Sequence, residues 1–333
     1  MKKRGRVYNR IFNPKEWEEV CKYNKNLLED WLLELRSKKV KESTIKQYKN
    51  DVRILFIYIL REHDNKPIYK LKKKQFRNYS LWLSEELNLS NDRVNRLLSA
   101  TRSMLEYASN EEDYEDEIEI NYASKVKGLP KEKVRDIYFL TDEQVDKIYK
   151  YLIEKGQYQK ALYLSLSYDS AGRRNEIFQV TKDCFVNGDK MTNLVTGKRG
   201  KEFRLLFFSR TKECAELYLK QRGEDNEKSL WVKKVNGNVI PLSYSTLYAW
   251  CVEFADILEE LEGEYIPFNP HSFRHTCLEN LKRGTHYICR ELGKDKFELD
   301  ELQLLANHSD ISTTASYLKD NTEEELLTAF GLM

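Results

Sequence analysis

Between Glu111 and Glu119 the chain places seven acidic residues and no basic one, and Gly128-Leu129-Pro130 follows shortly after. Like charges at that density repel one another, and glycine and proline break any helix that would run through them. An extended, exposed segment is the expected outcome. The chain of 333 residues is also longer than the roughly 100–200 of one ordinary domain. The reading is therefore two domains, 24–110 and 139–320, joined by an acidic linker over 111–138. A basic N-terminal tail, 1–23, and a C-terminal tail, 321–333, flank them.

Helical periodicity fills the first stretch. Leu27, Leu28, Trp31, Leu32 and Leu35 recur at helical spacing, as do Ile45, Tyr48, Val52, Leu55, Phe56 and Ile59. Phe76, Tyr79, Leu83 and Leu87 predict a third helix, opened by the Lys72-Lys73-Lys74 run. Val94, Leu97, Leu98, Met104, Leu105 and Ala108 predict a fourth, with Arg93, Arg96 and Arg102 spread among them. Beyond the break, Thr141 and Gln144 form a capping box ahead of Val145, Ile148, Tyr149 and Leu152. A buried helix is expected over about 157–169. From Val180 to Leu206 the pattern changes to short β-type runs broken by Asn187-Gly188 and Gly197-Lys198-Arg199-Gly200, the turns of a small antiparallel sheet. Helices then resume after Ser209 and run to the end, interrupted near Gly223, Gly237 and Gly263. The fold class that follows is mainly α with a small antiparallel β-sheet.

Charge separates the two stretches further. Residues 1–110 hold 25 Lys/Arg against 14 Asp/Glu, a balance of +11, and the remainder holds 31 against 40, or −9. A basic helical half points to a polyanion, because each phosphate neutralised releases counterions. A solvated surface is the competing reading of charge alone. No apolar run reaches the ~18 residues of a membrane span. The N-terminus is basic with no apolar stretch behind it, so no signal peptide is expected. Six cysteines without a CxxC pair read as free thiols in a reducing compartment. A cytoplasmic protein without membrane association is the expectation.

The chemistry begins with histidine, of which there are five. His271 and His275 lie in His271-Ser272-Phe273-Arg274-His275, and His308 stands nine residues before Tyr317. The i, i+4 spacing of His271 and His275 suits a metal, but the glutamate base of an HExxH site is missing and no third ligand is evident. Phosphodiester chemistry accounts for the set better. A tyrosine hydroxyl, with an ordinary pKa near 10, needs cations to neutralise a pentavalent phosphate and a group to take its proton. Arginine, a planar fork that stays charged, suits the first task and histidine the second. A lysine on a turn suits protonation of the leaving oxygen.

These residues resemble a known family. Ser170-Ala171-Gly172-Arg173-Arg174-Asn175-Glu176-Ile177 looks like the first arginine box of the tyrosine recombinases, also called the phage integrase family. Gly197-Lys198-Arg199-Gly200-Lys201-Glu202 resembles their β-hairpin lysine turn, and His271-Ser272-Phe273-Arg274-His275-Thr276 their HxxRH box. Leu304 to Thr314 is similar to the segment that leads to the nucleophile. Glu42 to Tyr48 and Val94 to Ala100 look like the family's SAM-like core-binding helices. Any one box is a weak signal; four in order, over residues 24–320, are a strong one.

The resemblance implies a SAM-like helical core-binding domain followed by a mixed α/β catalytic domain. It makes Tyr317 the nucleophile, with Arg173 and Arg274 clamping the scissile phosphate. Lys198 would protonate the leaving 5′-oxygen, His271 act as base or hydrogen-bond partner, and His308 donate to the phosphate. Glu176 would orient the site from behind, and His275 would be structural. The Lys72-Lys73-Lys74 run suits a DNA backbone and equally a solvated helix end; Arg93 and Arg96 are the other candidate DNA contacts. Asn307 departs from the glycine usual before this histidine, but asparagine tolerates the same left-handed backbone. The implied reaction, transesterification through a 3′-phosphotyrosyl bond, needs no cofactor and no metal. Implied partners are double-stranded DNA and three further protomers in a synaptic tetramer, with accessory DNA-bending proteins, in association with the nucleoid. Leu326, Leu327 and Phe330, on one helical face, would dock the tail on a neighbouring protomer, with packing against its own domain as the competing reading. Two rivals share these features: a recombinase-fold transcriptional regulator that binds without strand exchange, and a type IB topoisomerase.

Overall fold

Apolar residues three and four apart give the first stretch its helices, and the core lies where those stripes meet. The computed structural model describes residues 7–130, 137–186 and 190–319, the Arg199 side chain excepted. The chain divides into two units, Met1–Arg135 and Asp136–Met333. The first holds α1 (Val7–Ile11), α2 (Pro14–Glu19), α3 (Lys22–Ser37), α4 (Glu42–Glu62), α5 (Lys73–Leu81) and α6 (Asn91–Ala108). A single π-helical turn, Trp82–Glu86, continues α5. Leu27, Leu28, Val52, Phe56, Phe76, Leu97 and Met104 are buried where these helices meet. Each such side chain contributes roughly 1.5–3 kcal/mol of transfer free energy.

Two segments differ from the expectations above. Residues 7–20, expected as part of a basic tail, are folded onto the bundle. Asn13 caps α2 through Lys15 N, and Pro14 sits in its first turn, where a missing N–H costs nothing. Arg61 grips Glu16 through two nitrogens, and the Arg53 guanidinium lies 4.8 Å from the Trp17 ring. The acidic segment is not extended either. Tyr114, Ile118, Ala123 and Val126 alternate with its charges and are buried against the bundle. Tyr114 donates to Asp30, while Arg102 donates to the carbonyls of Ala123 (3.2 Å) and Val126 (2.8 Å). Four apolar anchors and a paired arginine outweigh the repulsion of carboxylates that still face water.

The second unit is built around two buried helices. α7 (Asp142–Glu154) opens with the capping box: Thr141 Oγ1 accepts from Gln144 N and Gln144 Oε1 from Thr141 N. α8 (Tyr158–Ser170) is buried from Ala161 onward, and α9 (Arg174–Phe178) and α10 (Asp183–Val186) follow. Strands β1 (Val195–Thr196) and β2 (Glu202–Phe203) pair antiparallel across the Lys198–Gly200 turn. Then come α11 (Ser209–Arg222), α12 (Thr246–Glu262), α13 (Pro270–Lys282), α14 (Tyr287–Leu292), α15 (Leu299–Ala306) and α16 (Ile311–Ala315). A second hairpin, β3 (Val232–Val235) with β4 (Asn238–Pro241), interrupts the expected run of helices. Its turn is Asn236-Gly237, both at positive φ, the two-residue turn that matches strand twist. Asn187-Gly188, expected as a turn, and the docking residues Leu326, Leu327 and Phe330 lie outside the described residues.

Candidate active site

Four chain segments bring the site together. α8 ends at Ala171, whose left-handed backbone (φ 50°) turns the chain into the arginine box. Arg173 is then the N-cap residue of α9. Glu176 holds it twice, accepting from its backbone N at 2.7 Å and from Nη1 at 3.0 Å. Glu176 is buried and Arg173 is partly open, so the carboxylate braces the guanidinium from behind.

The β1–β2 hairpin abuts the same glutamate. A Cβ on Gly197 would come within 2.7 Å of the Phe203 ring and 3.2 Å of Glu176 Oε1, so only glycine lets the hairpin approach this closely. Gln179 ties hairpin to helix, donating to Thr196 O and accepting from Thr196 N. Lys198, one residue on, is exposed. It makes no hydrogen bond or ion pair with the described residues, and the structure does not bring it into the cluster.

α13 carries the HxxRH box along a buried helix. Arg274 has 1% of its surface exposed, and the backbone fixes its guanidinium: Nη1 donates to Ala171 O at 2.6 Å and Nη2 to Ala306 O. Nη2 also lies 2.6 Å from His308 Nε2. Arg274 Nε has no partner, an orphan donor of the kind a phosphate oxygen would satisfy. Burial, then the charge of Arg173, lowers the Arg274 pKa to about 10, so the cation persists at neutral pH.

His308 reaches Arg274 because Asn307 ends α15 in the left-handed region (φ 51°), as the substitution for glycine implied. Its other ring nitrogen, Nδ1, sits 2.9 Å from Thr314 Oγ1. Tyr317 follows α16. Its half-buried ring is ringed by histidines: stacked on His275 at 4.5 Å, edge-on to His271 at 5.1 Å and tilted to His308 at 5.0 Å. The Arg274 guanidinium is 5.2 Å from the same ring. His275 donates from Nδ1 to the Tyr317 carbonyl at 2.8 Å, so it holds the tyrosine's backbone.

Desolvation, then the neighbouring cations, keeps these histidines neutral. His308 is lowered to about 4 by burial, Arg274 and Arg173. His271 keeps an exposed edge, yet desolvation of the rest, with His275, Arg274 and Arg173, lowers it to about 4 as well. His275 is also lowered, by burial first.

Away from this cluster, Lys72, Lys73 and Lys74 are exposed at the start of α5, and Lys72 lies 4.8 Å from the Tyr122 ring. Arg93 and Arg96 converge on the buried Asp51 carboxylate at 2.8 and 3.3 Å. With Ser43, Lys46, Gln47 and Asn50 they line a groove of about 640 Å³. Lys46 and Asn50, one turn apart on α4, join this groove although the sequence reading did not single them out; that α4 faces Arg93 is visible only in the structure. Thr314 was missed too, since a threonine carries no signal until its partner is seen.

Comparison with known proteins places these residues in context. The family model described as the phage integrase family matches residues 138–324, and that of the phage integrase N-terminal SAM-like domain matches 27–113. The chain is 25% identical over 323 residues to the SPbeta prophage-derived recombinase-like protein YomM of Bacillus subtilis (strain 168), covering 93% of this chain and 91% of that protein. It resembles the lambda integrase in a tetramer bound to a Holliday junction, with a TM-score of 0.64, 16% identity, and 89% and 77% of the two chains covered. It also resembles the Tn1549 transposon integrase in complex with a circular intermediate DNA, with a TM-score of 0.60, 15% identity, and 91% and 99% covered. At those identities the structural likeness is one of fold. The family match, however, spans more than half the chain and runs over every segment that meets at Tyr317: the chain belongs to the phage integrase family.

Proposed function

We propose that the protein is a site-specific recombinase that cuts and rejoins double-stranded DNA through Tyr317. The observation that carries the reading is the convergence on one tyrosine ring of a backbone-anchored arginine and three neutral histidines. The Tyr317 hydroxyl loses its proton to His271 and attacks the phosphorus. The P–O5′ bond breaks, the 3′-phosphate stays on the tyrosine, and the departing 5′-oxygen takes a proton from Lys198. A 5′-hydroxyl of a partner strand reverses the step. The phosphodiester's energy stays in the covalent bond, so the exchange needs neither ATP nor metal.

Arg173 and Arg274 face the non-bridging oxygens. Each is braced, Arg173 by Glu176 and Arg274 by two carbonyls, so little reorganisation accompanies the build-up of charge. Lys198 must reach the site when DNA is bound, and its exposed turn leaves it free to do so. The groove of Arg93 and Arg96, together with Lys72, Lys73 and Lys74, supplies the electrostatic hold on the duplex. Strand exchange between two duplexes calls for four protomers, and accessory DNA-bending proteins fit as directors of the reaction. No described helix is long and apolar enough to cross a membrane, and the nucleoid is the proposed place of action.

A duplex selected on the protein from a random-sequence library, then nicked beside the crossover, traps the covalent intermediate. Wild type should give a protein–DNA adduct resistant to denaturation, and Tyr317→Phe none. An adduct that survives Tyr317→Phe, or none with wild type, sinks the reading. Binding with no cleavage would favour a regulator, and relaxation without strand exchange a topoisomerase.

A further inference from the structure

The segment that carries Tyr317 is tied to α13 on both sides of Leu318. His275 donates to the Tyr317 carbonyl at 2.8 Å, and one turn further along α13 Glu279 Oε2 accepts from the Lys319 backbone N at 2.9 Å. Side chains four residues apart lie on one helix face, so the two bonds form a single seam. Glu279 has 3% of its surface exposed, and a carboxylate is costly to bury unless donors meet it. Here each oxygen has one: Oε1 accepts from Arg283 Nε at 2.6 Å, which supplies the countercharge, and Oε2 is left for the amide. The other support of the tyrosine is slight. α16 is five residues long and ends at Ala315, and beyond it Tyr317 N and Leu318 N bond only back to Thr314 O and Ala315 O. Lys319 is exposed, so the buried carboxylate is what fixes its amide.

We propose that Glu279 is a positioning residue for the nucleophile: with His275 it moors the 317–319 backbone to the helix that carries Arg274, and so keeps the phenol in register with that guanidinium. The inference rests on the reading of Tyr317 as the nucleophile. It has a directional consequence. Before cleavage the seam limits the motion of the tyrosine, whereas afterwards the phosphotyrosyl bond does so. Without Glu279 the free tyrosine has more conformations to lose on the way to the transition state, and cleavage slows. Rejoining starts from a tethered tyrosine and changes little. A displaced arginine would slow both steps.

Spectra of the full chain labelled with ¹⁵N-lysine read the contact without DNA, and Lys319→Arg identifies the resonance. The Lys319 amide should exchange with solvent at least about tenfold more slowly than an unstructured lysine. Glu279→Leu should release it and leave the other lysine amides as they were. In the trapping assay, Glu279→Leu should slow adduct formation at saturating DNA about thirtyfold and leave DNA affinity within about twofold. Rejoining of the trapped adduct by an added 5′-hydroxyl strand should stay within about threefold of wild type. Glu279→Gln should fall between, because an amide that turns its oxygen to Lys319 N sets its own N–H groups against Arg283. Equal slowing of cleavage and rejoining overturns the proposal, as does slowing of neither. If the leucine variant does not fold, the wild-type amide decides, and exchange at the unprotected rate sinks the idea. A wild type that forms no adduct removes the nucleophile reading instead, and the amide still tells whether the seam exists.

Discussion

The two units bury different things. Among the described residues the helical unit encloses few polar side chains: Asn24, Asp51, Ser80 and Thr101. The second unit buries Asp142, Asp169, Glu176, Arg222, Arg274, His275, His286 and His308, with several hydroxyls. Asp169 alone accepts from Thr211, Tyr287 and the backbone of Phe208. A satisfied polar network of this kind fixes positions more tightly than an apolar core, and the low dielectric around it strengthens each charge. On the proposed function, the first unit would hold DNA through charges at its surface, and the second would act through charges fixed before DNA arrives.

That contrast makes its strongest claim at Arg274. Arg274→Ala should slow adduct formation on the order of 1000-fold or more, because it removes a preorganised cation from the phosphate, while DNA affinity changes little. The site already cradles the guanidinium with Ala171 O and Ala306 O, so the loss belongs to the transition state and not to binding. Equal losses in affinity and rate would break the contrast, for then the second unit would bind as the first does.

Acid should separate the units next. His271 and His308 are each lowered to about 4, so they are neutral from there upward. The second-order rate constant for adduct formation, which reports the free enzyme, should hold as pH falls past 6.5 and drop about tenfold per unit below about pH 4. Stability carries the same sign. A lowered histidine pKa contributes stability that is full above its unfolded value, near 6.5, and is lost as pH falls toward its folded value. His286, lowered to about 3, adds to this, and Asp169, raised to about 6, opposes it between about 6 and 3.8. In the helical unit His63 is the one histidine, and the buried Asp51 is raised, which favours the folded form in acid. Hydrogen exchange read by mass spectrometry at descending pH should show the second unit opening first. The helical unit opening first would refute the assignment.

Much of this was legible in the residues. Helices whose apolar stripes repeat over several turns declared themselves, because one face of a long helix must be covered. So did the segment before Tyr317, where Asn307 could be read as a left-handed position before the turn was seen. The acidic segment misled because charge was counted and its four apolar anchors were not. The hairpin of β3 and β4 was hidden between two helices, although Asn236-Gly237 is a hairpin signal. Partnerships were the part beyond reach. Glu176 with Arg173 is local and could be guessed, but His308 with Thr314 and Arg274 joins three segments. Which atom donates across that contact depends on side-chain geometry that no spacing encodes.

The smallest effect should come from the surface of the helical unit. Arg96 is about half open and lies 3.3 Å from Asp51, whereas Arg93 is mostly covered and closer, at 2.8 Å. Asp51 is thus shared, and it holds Arg93 as the inner member while Arg96 keeps donors free for the groove. Arg96→Ala should weaken binding only severalfold and by a similar factor on every duplex, because a phosphate contact positions without reading sequence. The slope of log affinity against log salt should fall by about 0.9, the release of one phosphate's worth of counterion. Adduct formation at saturating DNA should not change. A loss confined to one duplex sequence, with the salt slope intact, would mean that Arg96 reads a base edge, and the helical unit would then supply specificity as well as hold.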